Sequence, residues 1–210
     1  MQSGRICIVG CGGMGVEVCG MLLQNGLTVD TFCEQNARKV PIFGLPVINT
    51  EDILPDDVLI FAIGSPKRES LVKSLSGSKH LNVTHRNALI GYNSHIGKGV
   101  IICANTVITE LVNIGNYCII NLACTVSHHS EIGDFTTLCP RCCVGGRAKI
   151  GRGCFLGINA CVSSGVKIGD SVFIGAGSVV LEDIPSNVLA YGNPARIVRE
   201  ITQEELHEMI

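Results

Sequence analysis

The sequence predicts two parts of different fold class, an N-terminal α/β domain followed by a parallel β-helix built from hexapeptide repeats. Strand-like and helix-like segments alternate through residues 1–85, and beyond them an aliphatic side chain recurs at every sixth position. These two observations lead us to assign residues 1–85 to the α/β domain, 86–184 to the β-helix and 185–210 to a C-terminal segment.

The β-helix is predicted by an unbroken sixfold period. From Ile90 to Val180 every sixth residue is aliphatic, and the residue two positions earlier is small in each case. Glycine follows the aliphatic residue at nine of these sixteen positions. A large side chain pointing inward, a small one beside it and a glycine at the turn are typical of stacked solenoid coils.

The first 85 residues alternate between expected strands and helices, which favours a small parallel sheet. The expected helices are Val16–Asn25 and a segment that Ser65 caps and that runs to about Ser76. The expected strands are Arg5–Gly10, Thr28–Cys33, Val58–Ile63 and His80–His85.

A glycine-rich loop lies between the first expected strand and helix. Gly10, Gly12 and Gly15 fit the pattern G-x-G-x-x-G, in which glycines let the backbone approach a phosphate at a helix N-terminus. Glu34, about twenty residues on, suits a ribose hydroxyl. The alternative is a tight turn that only packs helix on strand. Because residues 1–85 hold one mononucleotide half of a Rossmann fold, we expect a nucleotide-linked sugar rather than a nicotinamide dinucleotide.

Composition excludes several classes of protein. The net charge is −2, from 16 basic and 18 acidic residues, which provides no basic field for nucleic acid. No apolar run approaches the ~18 residues that span a bilayer, and too few residues precede the first strand for a signal peptide. We therefore expect a cytoplasmic protein without membrane insertion.

The twelve cysteines have a packing explanation. Four of them, Cys118, Cys124, Cys142 and Cys154, fall in the small column of the repeat. Only one C-x-x-C pair occurs, and the coil histidines His95, His128 and His129 do not have the spacing of three zinc ligands on stacked coils. We expect no metal site.

The glycine loop ahead of hexapeptide coils resembles a bacterial family of sugar acetyltransferases, which contains sialic-acid O-acetyltransferases and UDP-amino-sugar N-acetyltransferases. The resemblance implies a left-handed β-helix of five coils with three hexapeptides each, acetyl-CoA as co-substrate, a sugar acceptor and a homotrimer. The segments that carry the resemblance are Gly10–Gly15, Ala62–Gly64, Val126–His128, Glu131–Phe135 and Gly192–Arg196.

The resemblance also implies roles for individual residues. His128 matches the catalytic base of the family. Residues that match the acetyl-CoA site are Thr137, Gly146, Ile158 and Ala176, and those that match the nucleotide-sugar site are Gly12, Gly13, Met14 and Gly64. Arg196 or Arg199, near the last matching segment, is a candidate partner for the coenzyme phosphates.

The chain departs from the family pattern at two positions. Many N-acetylating members carry histidine where Met14 stands, and the carboxylate that usually follows the catalytic histidine is replaced by His129. Some O-acetylating members lack both features. The sequence therefore leaves the acceptor open between an amine and a hydroxyl.

Acetyl transfer from a thioester needs a proton acceptor, an oxyanion donor and two aligned substrates. Histidine accepts a proton near neutral pH, and we expect His128 to face a groove while His129 points away from it. At eighteen residues per coil, Glu110 lies below His128 and Gly146 above it. We expect Glu110 to orient the base and the Gly146 amide to donate to the oxyanion.

Two alternatives accompany this interpretation. A cysteine acyl-enzyme would use Cys124, Cys142 or Cys143, which lie near His128 in sequence or in stacking. Cys124 and Cys142 are expected to point inward, and buried thiols are inert, so direct transfer is favoured. The second alternative is a nucleotide-sugar-binding protein with an inactive transferase site. For the expected homotrimer, the candidate outward apolar residues are Ile101, Ile119, Leu122 and Phe155.

Overall fold

The computed structural model describes residues 4–37 and 40–209, so residues 1–3, 38–39 and 210 of the predicted domains lie outside the described part. The elements of the N-terminal domain are β1 (Ile6–Val9), α1 (Gly13–Gln24), β2 (Thr31–Glu34), β3 (Val47–Asn49), a 3₁₀ turn (Thr50–Asp52), β4 (Val58–Phe61), α2 (Arg68–Ser74) and β5 (Lys79–His80). The five strands form a parallel sheet in the order β3-β2-β1-β4-β5.

α2 begins later than predicted, with Lys67 rather than Ser65 at its N-cap position. The Ser65 hydroxyl accepts a hydrogen bond from the Lys67 amide at 3.3 Å, in the turn before the helix. The prediction that Ser65 caps this helix is therefore wrong.

Other N-terminal elements also differ from the sequence prediction. α1 starts three residues earlier than Val16, because the Val16 amide already donates to Gly12 in the glycine loop. The three-residue strand β3 was not predicted. The segment His80–His85 was predicted as one strand, but it forms two: β5 ends the α/β sheet and Val83–Thr84 opens the solenoid.

The solenoid is a three-sided prism of parallel strands, and strand partners lie eighteen residues apart, as Thr125 and Cys143 do. The face covered by the N-terminal domain, the docked face, has the strands Val83–Thr84, Ile101–Ile102, Ile119–Ile120, Thr137–Leu138, Phe155–Leu156, Phe173–Ile174, Val188–Gly192 and Ala195–Glu200. A second face, the uncharged face, has Leu89–Ile90, Val107–Ile108, Thr125–Val126, Cys143–Val144, Cys161–Val162 and Val179–Val180. The third, the charged face, has His95–Ile96, Asn113–Ile114, Glu131–Ile132, Lys149–Ile150 and Lys167–Ile168.

The sixfold period correctly predicts the solenoid interior. The aliphatic column is buried from Ile102 to Val180, and the cysteines of the small column pack among it. Buried hydroxyls in the same column donate to backbone carbonyls fifteen residues further along the chain, as Ser130 does to Gly145 at 2.9 Å. These hydroxyls thereby have hydrogen-bond partners inside the prism.

The N-terminal domain covers one end of the docked face. Ile101 and Ile119 are 0% and 1% exposed, because they pack in one apolar cluster with Ile8, Phe32 and Val83. The prediction that Ile101 and Ile119 are exposed is therefore wrong.

The solenoid continues beyond the last hexapeptide of the sixfold period. Val188–Gly192 extends the docked face, and Ala195–Glu200 pairs with it as an antiparallel hairpin that contains a cis Asn193–Pro194 peptide bond. A short helix, α3 (Gln203–Glu208), follows, with Thr202 and Glu205 forming its capping box. Among residues 4–37 and 40–209, no helix has the length and hydropathy needed to cross a bilayer.

Candidate active site

A cleft of about 380 Å³ opens at the carboxyl ends of β1, β2 and β4. This is the edge of a parallel α/β sheet where ligands commonly bind. All five residues that the sequence analysis assigns to the acceptor line this cleft, namely Gly12, Gly13, Met14, Glu34 and Gly64. The structure therefore brings together residues that are up to about fifty positions apart in the chain.

The glycines of the loop serve two different purposes. Gly10 has a φ of 116°, and a Cβ atom at Gly15 would overlap the Gly10 carbonyl, so both are required by the turn itself. A Cβ atom at Gly12 or Gly13 would meet nothing within 4 Å. Packing alone does not require these two glycines, and their open space leaves room for a ligand at the N-terminus of α1.

The two adjacent histidines contact each other at the corner between the uncharged and charged faces. The Nδ1 atoms of His128 and His129 are 3.0 Å apart, and the rings are nearly perpendicular with centroids 5.2 Å apart. His129 has a φ of 61°, a left-handed conformation that turns the chain at this corner. The prediction that the two rings point to different sides is therefore wrong.

Gly146 lies against the His128 ring, one coil further along. A Cβ atom at Gly146 would come within 2.8 Å of Cε1 and 2.9 Å of Nε2 of His128. The Gly146 carbonyl accepts a hydrogen bond from Gly165, whereas its N–H donates to no group in the described chain. Gly146 thus leaves room for the ring and keeps an unused amide donor beside it.

Glu110 lies one coil below the histidines, as the eighteen-residue spacing predicts. Its backbone carbonyl accepts a hydrogen bond from the His129 amide at 3.3 Å. Within residues 4–37 and 40–209, its carboxylate bonds to neither histidine. His129, rather than Glu110, therefore contacts His128 at Nδ1.

Ile158 and Ala176 lie one coil apart at the corner between the docked and uncharged faces, and both are exposed. His128 and Gly146 lie at the opposite edge of the uncharged face. A single copy of the chain therefore does not bring the expected base and these two expected coenzyme contacts into one groove.

Thr137 lies elsewhere, in the interface between the two domains. It is 2% exposed, and its hydroxyl accepts a hydrogen bond from Arg68 Nη1 at 2.9 Å and donates to the Gly64 carbonyl at 2.7 Å. This position holds the cleft wall against the solenoid and leaves no open surface for a coenzyme. Arg68, which bonds Thr137 here and is fully buried, was not among the predicted site residues.

The solenoid cysteines are placed as the repeat predicts. Cys124 and Cys142 are fully buried and Cys143 is exposed. A hydrogen bond with Cys124, together with burial, raises the pKa of Cys142, which makes its thiol a poor nucleophile. No group of three potential metal ligands occurs in the described parts of the chain.

Two family models match the solenoid. The six-repeat bacterial transferase hexapeptide matches residues 147–182, and the hexapeptide repeat of succinyl-transferase matches residues 86–110. No curated protein gives a significant match to the sequence.

Three solved structures resemble nearly the whole chain. A point mutant of GDP-perosamine N-acetyl transferase from Caulobacter crescentus, in complex with CoA and GDP-perosamine, is 31% identical with a TM-score of 0.89, covering 94% of this chain and 98% of that one. The acetyltransferase domain of PglB from Neisseria gonorrhoeae, in complex with acetyl coenzyme A, is 26% identical with a TM-score of 0.85, covering 92% and 98%. WeeI from Acinetobacter baumannii is 27% identical with a TM-score of 0.76, covering 93% and 100%.

Fold and repeats together define an acyltransferase of the hexapeptide class with a left-handed β-helix. The similarity extends through the N-terminal domain. The chain belongs to the bacterial sugar acetyltransferase family of hexapeptide transferases, and the resemblance stated from its sequence is confirmed.

Proposed function

We propose that the protein transfers acetyl from acetyl-CoA to an amine or hydroxyl of a nucleotide-linked sugar. The observation that carries this proposal is the open space at Gly12 and Gly13 in a cleft joined to a β-helix with His128 at its surface. Similarity to structures that hold CoA with GDP-perosamine, or acetyl-CoA alone, supports both substrates. The similarity to an N-acetyl transferase that holds GDP-perosamine favours an amine as the acceptor group.

In the proposed reaction the chain acts by direct transfer. His128 Nε2 accepts the proton of the acceptor amine or hydroxyl as that atom attacks the thioester carbonyl. The N–H of Gly146, free in the described chain, donates to the developing oxyanion. Collapse of the tetrahedral intermediate breaks the C–S bond, and His128 returns the proton to the leaving sulfur, so that CoA leaves as the thiol and the base is regenerated. The burial of Cys124 and Cys142 supports a path without an acyl-enzyme.

The homotrimer that we propose is formed through the uncharged face. Its outward side chains carry no charge, whereas those of the charged face form ion pairs such as Glu131–Lys149 at 2.8 Å. Threefold packing of uncharged faces places His128 of one copy beside the Ile158 edge of the next, which completes the groove. The outward side chains of the uncharged face are Leu89, Val107, Thr125, Cys143, Cys161 and Val179.

The proposed activity is tested by thiol release from acetyl-CoA and by the mass of the acceptor. Candidate acceptors are UDP- and GDP-linked amino sugars, CMP-sialic acid and free sialic acid. We expect release of CoA thiol together with the addition of one acetyl group to a nucleotide-linked sugar. Binding of a nucleotide sugar without thiol release would instead support the binding protein with an inactive transferase site.

A further inference from the structure

Arg68 is the first residue of α2, and its side chain is the largest that is fully buried in the described chain, at 0% exposure. Burial lowers the pKa of Arg68 to about 10, so the guanidinium still carries its charge at neutral pH. A buried charge is costly unless it is fully hydrogen-bonded. The partners of this group therefore indicate what it does.

One side of the guanidinium holds the wall of the acceptor cleft. Arg68 Nη1 donates to the carbonyl oxygens of Ile63 at 3.3 Å, Gly64 at 3.2 Å and Ser65 at 3.0 Å. Ile63 and Gly64 line the cleft directly. The backbone that connects β4 to α2 is thereby wrapped around a single cationic group.

The other side of the guanidinium holds the solenoid. Arg68 Nη2 donates to Phe135 O at 2.7 Å and Thr136 O at 3.1 Å, and Nε donates to Tyr117 O at 2.8 Å. Thr137 bridges both sides, because its hydroxyl contacts Arg68 and Gly64 together. In the described chain, every hydrogen-bond acceptor of the guanidinium is a carbonyl or hydroxyl oxygen.

Three of the four solenoid residues that bond Arg68 (Phe135, Thr136 and Thr137) belong to the coil that carries His128, and the fourth, Tyr117, belongs to the preceding coil. The coil of His128 runs from Thr125 through the histidine corner to Leu138, so residues 135–137 follow the expected base within one turn. Coils related by a threefold axis lie at the same level along it. The hydrogen bonds of Arg68 therefore fix the position of the cleft along the solenoid axis relative to His128, both in the same copy and in the other copies of a trimer.

We propose that Arg68 is a positioning residue that fixes the acceptor cleft relative to the coil that carries His128. This inference rests on the proposed function. Arg68 contacts neither substrate in this proposal. Removing its hydrogen bonds to the cleft wall or to the solenoid should weaken productive binding of the acceptor and leave the coenzyme site unaffected.

The experiment compares three variants of the full chain, with Thr137→Ser as a fourth that keeps the hydroxyl group. Arg68→Lys keeps the charge but loses the planar fork, and Thr137→Val removes only the bridging hydroxyl. Glu69→Gln is the matched control, because Glu69 also crosses the domain boundary, to Arg152 at 2.7 Å, but does not bond the cleft wall. The measurements are KM for each substrate, kcat, and hydrogen exchange of the amides of residues 63–65.

We expect Arg68→Lys and Thr137→Val to raise the acceptor KM by about tenfold and to speed exchange at residues 63–65. The acetyl-CoA KM should stay constant in both, and Glu69→Gln should change neither KM by more than about twofold. If Arg68→Lys does not fold, the test uses Thr137→Val and Thr137→Ser. Thr137→Ser keeps the hydroxyl group, so its acceptor KM should equal that of the wild type.

An unchanged acceptor KM and unchanged exchange, with only the active fraction reduced, would show that Arg68 is merely structural and would overturn the proposal. Failure of the proposed function is recognised separately, because the wild-type chain would then release no thiol. In that case the hydrogen-exchange rate of the amides of residues 63–65, compared between Thr137→Val and the wild type, still decides whether Arg68 and Thr137 hold the cleft wall.

Discussion

The Nδ1 atoms of His128 and His129 are 3.0 Å apart, and this contact restricts which ring can act as a base. One Nδ1 must donate its proton and the other must accept it. If His128 donates, its Nε2 carries no proton and is free to accept one from the acceptor sugar. If His129 donates, His128 carries its proton on Nε2 and cannot be the base. The proposed mechanism therefore requires His129 Nδ1 to be the acceptor, in the role that a carboxylate usually fills.

His129→Ala should accordingly lower kcat by about tenfold, because the His128 tautomer and ring orientation lose their partner. His129→Asn keeps a side-chain oxygen that can accept, and asparagine tolerates the left-handed φ of this position, so it should retain more activity than alanine. Steady-state kinetics on both variants make the comparison. Wild-type turnover in His129→Ala would leave the ring contact without a catalytic role.

Gly146→Ala should reduce kcat by at least about tenfold in a folded protein. The new methyl group would lie closer than van der Waals contact to Cε1 and Nε2 of His128, so the ring must move. Gly77→Ala is the matched control, because a Cβ atom there meets nothing within 4 Å and the residue is exposed. Equal activity of the two variants would contradict the proposed place of the His128 ring.

Gly12→Val should weaken acceptor binding by about tenfold or more and leave the affinity for acetyl-CoA unchanged. The side chain enters space that is empty in the protein, so the fold should be retained while close approach of a phosphate is blocked. Gly15→Ala should instead destabilise the chain, because its Cβ atom overlaps the Gly10 carbonyl. Calorimetry with the acceptor decides, and unchanged binding by Gly12→Val would reduce the loop to a packing turn.

Cys143→Asp should dissociate the proposed trimer, because it places a charge on each of three uncharged faces at the interface. Asn113→Asp is the control at an equivalent outward, exposed position of the charged face, and it should leave the trimer intact. Sedimentation at micromolar concentration measures both. A wild-type monomer, or a Cys143→Asp trimer, would exclude an interface at this face.

The interior of the solenoid could be predicted from the sequence because each coil repeats the same inward, small and turn positions. The period also placed Glu110, His128 and Gly146 in one stack. The period carries no information about what covers an outward residue, and this is why the prediction of Ile101 and Ile119 as interface positions is wrong. Their neighbours come from the N-terminal domain, far away in sequence.

The cleft beside the glycine loop was predictable because strand, glycine loop and helix follow one another directly in the chain. The His128–His129 contact was not, since the alternation of side chains along a strand fails where His129 adopts a positive φ. Arg68 gave one signal that could have been used. It stands four residues before the buried Val72, and so it is a charged residue on the inner face of a predicted helix.

Acetyl transfer by the wild-type chain and by His128→Ala tests the central claim most directly. With acetyl-CoA and nucleotide-linked amino sugars, we predict that the wild type releases CoA thiol and adds one acetyl group to the acceptor. His128→Ala should bind acetyl-CoA normally and turn over about 10²- to 10⁴-fold more slowly, the usual worth of a general base. Near-normal turnover by a folded His128→Ala, or no acetylated nucleotide sugar from the wild type, would contradict the account.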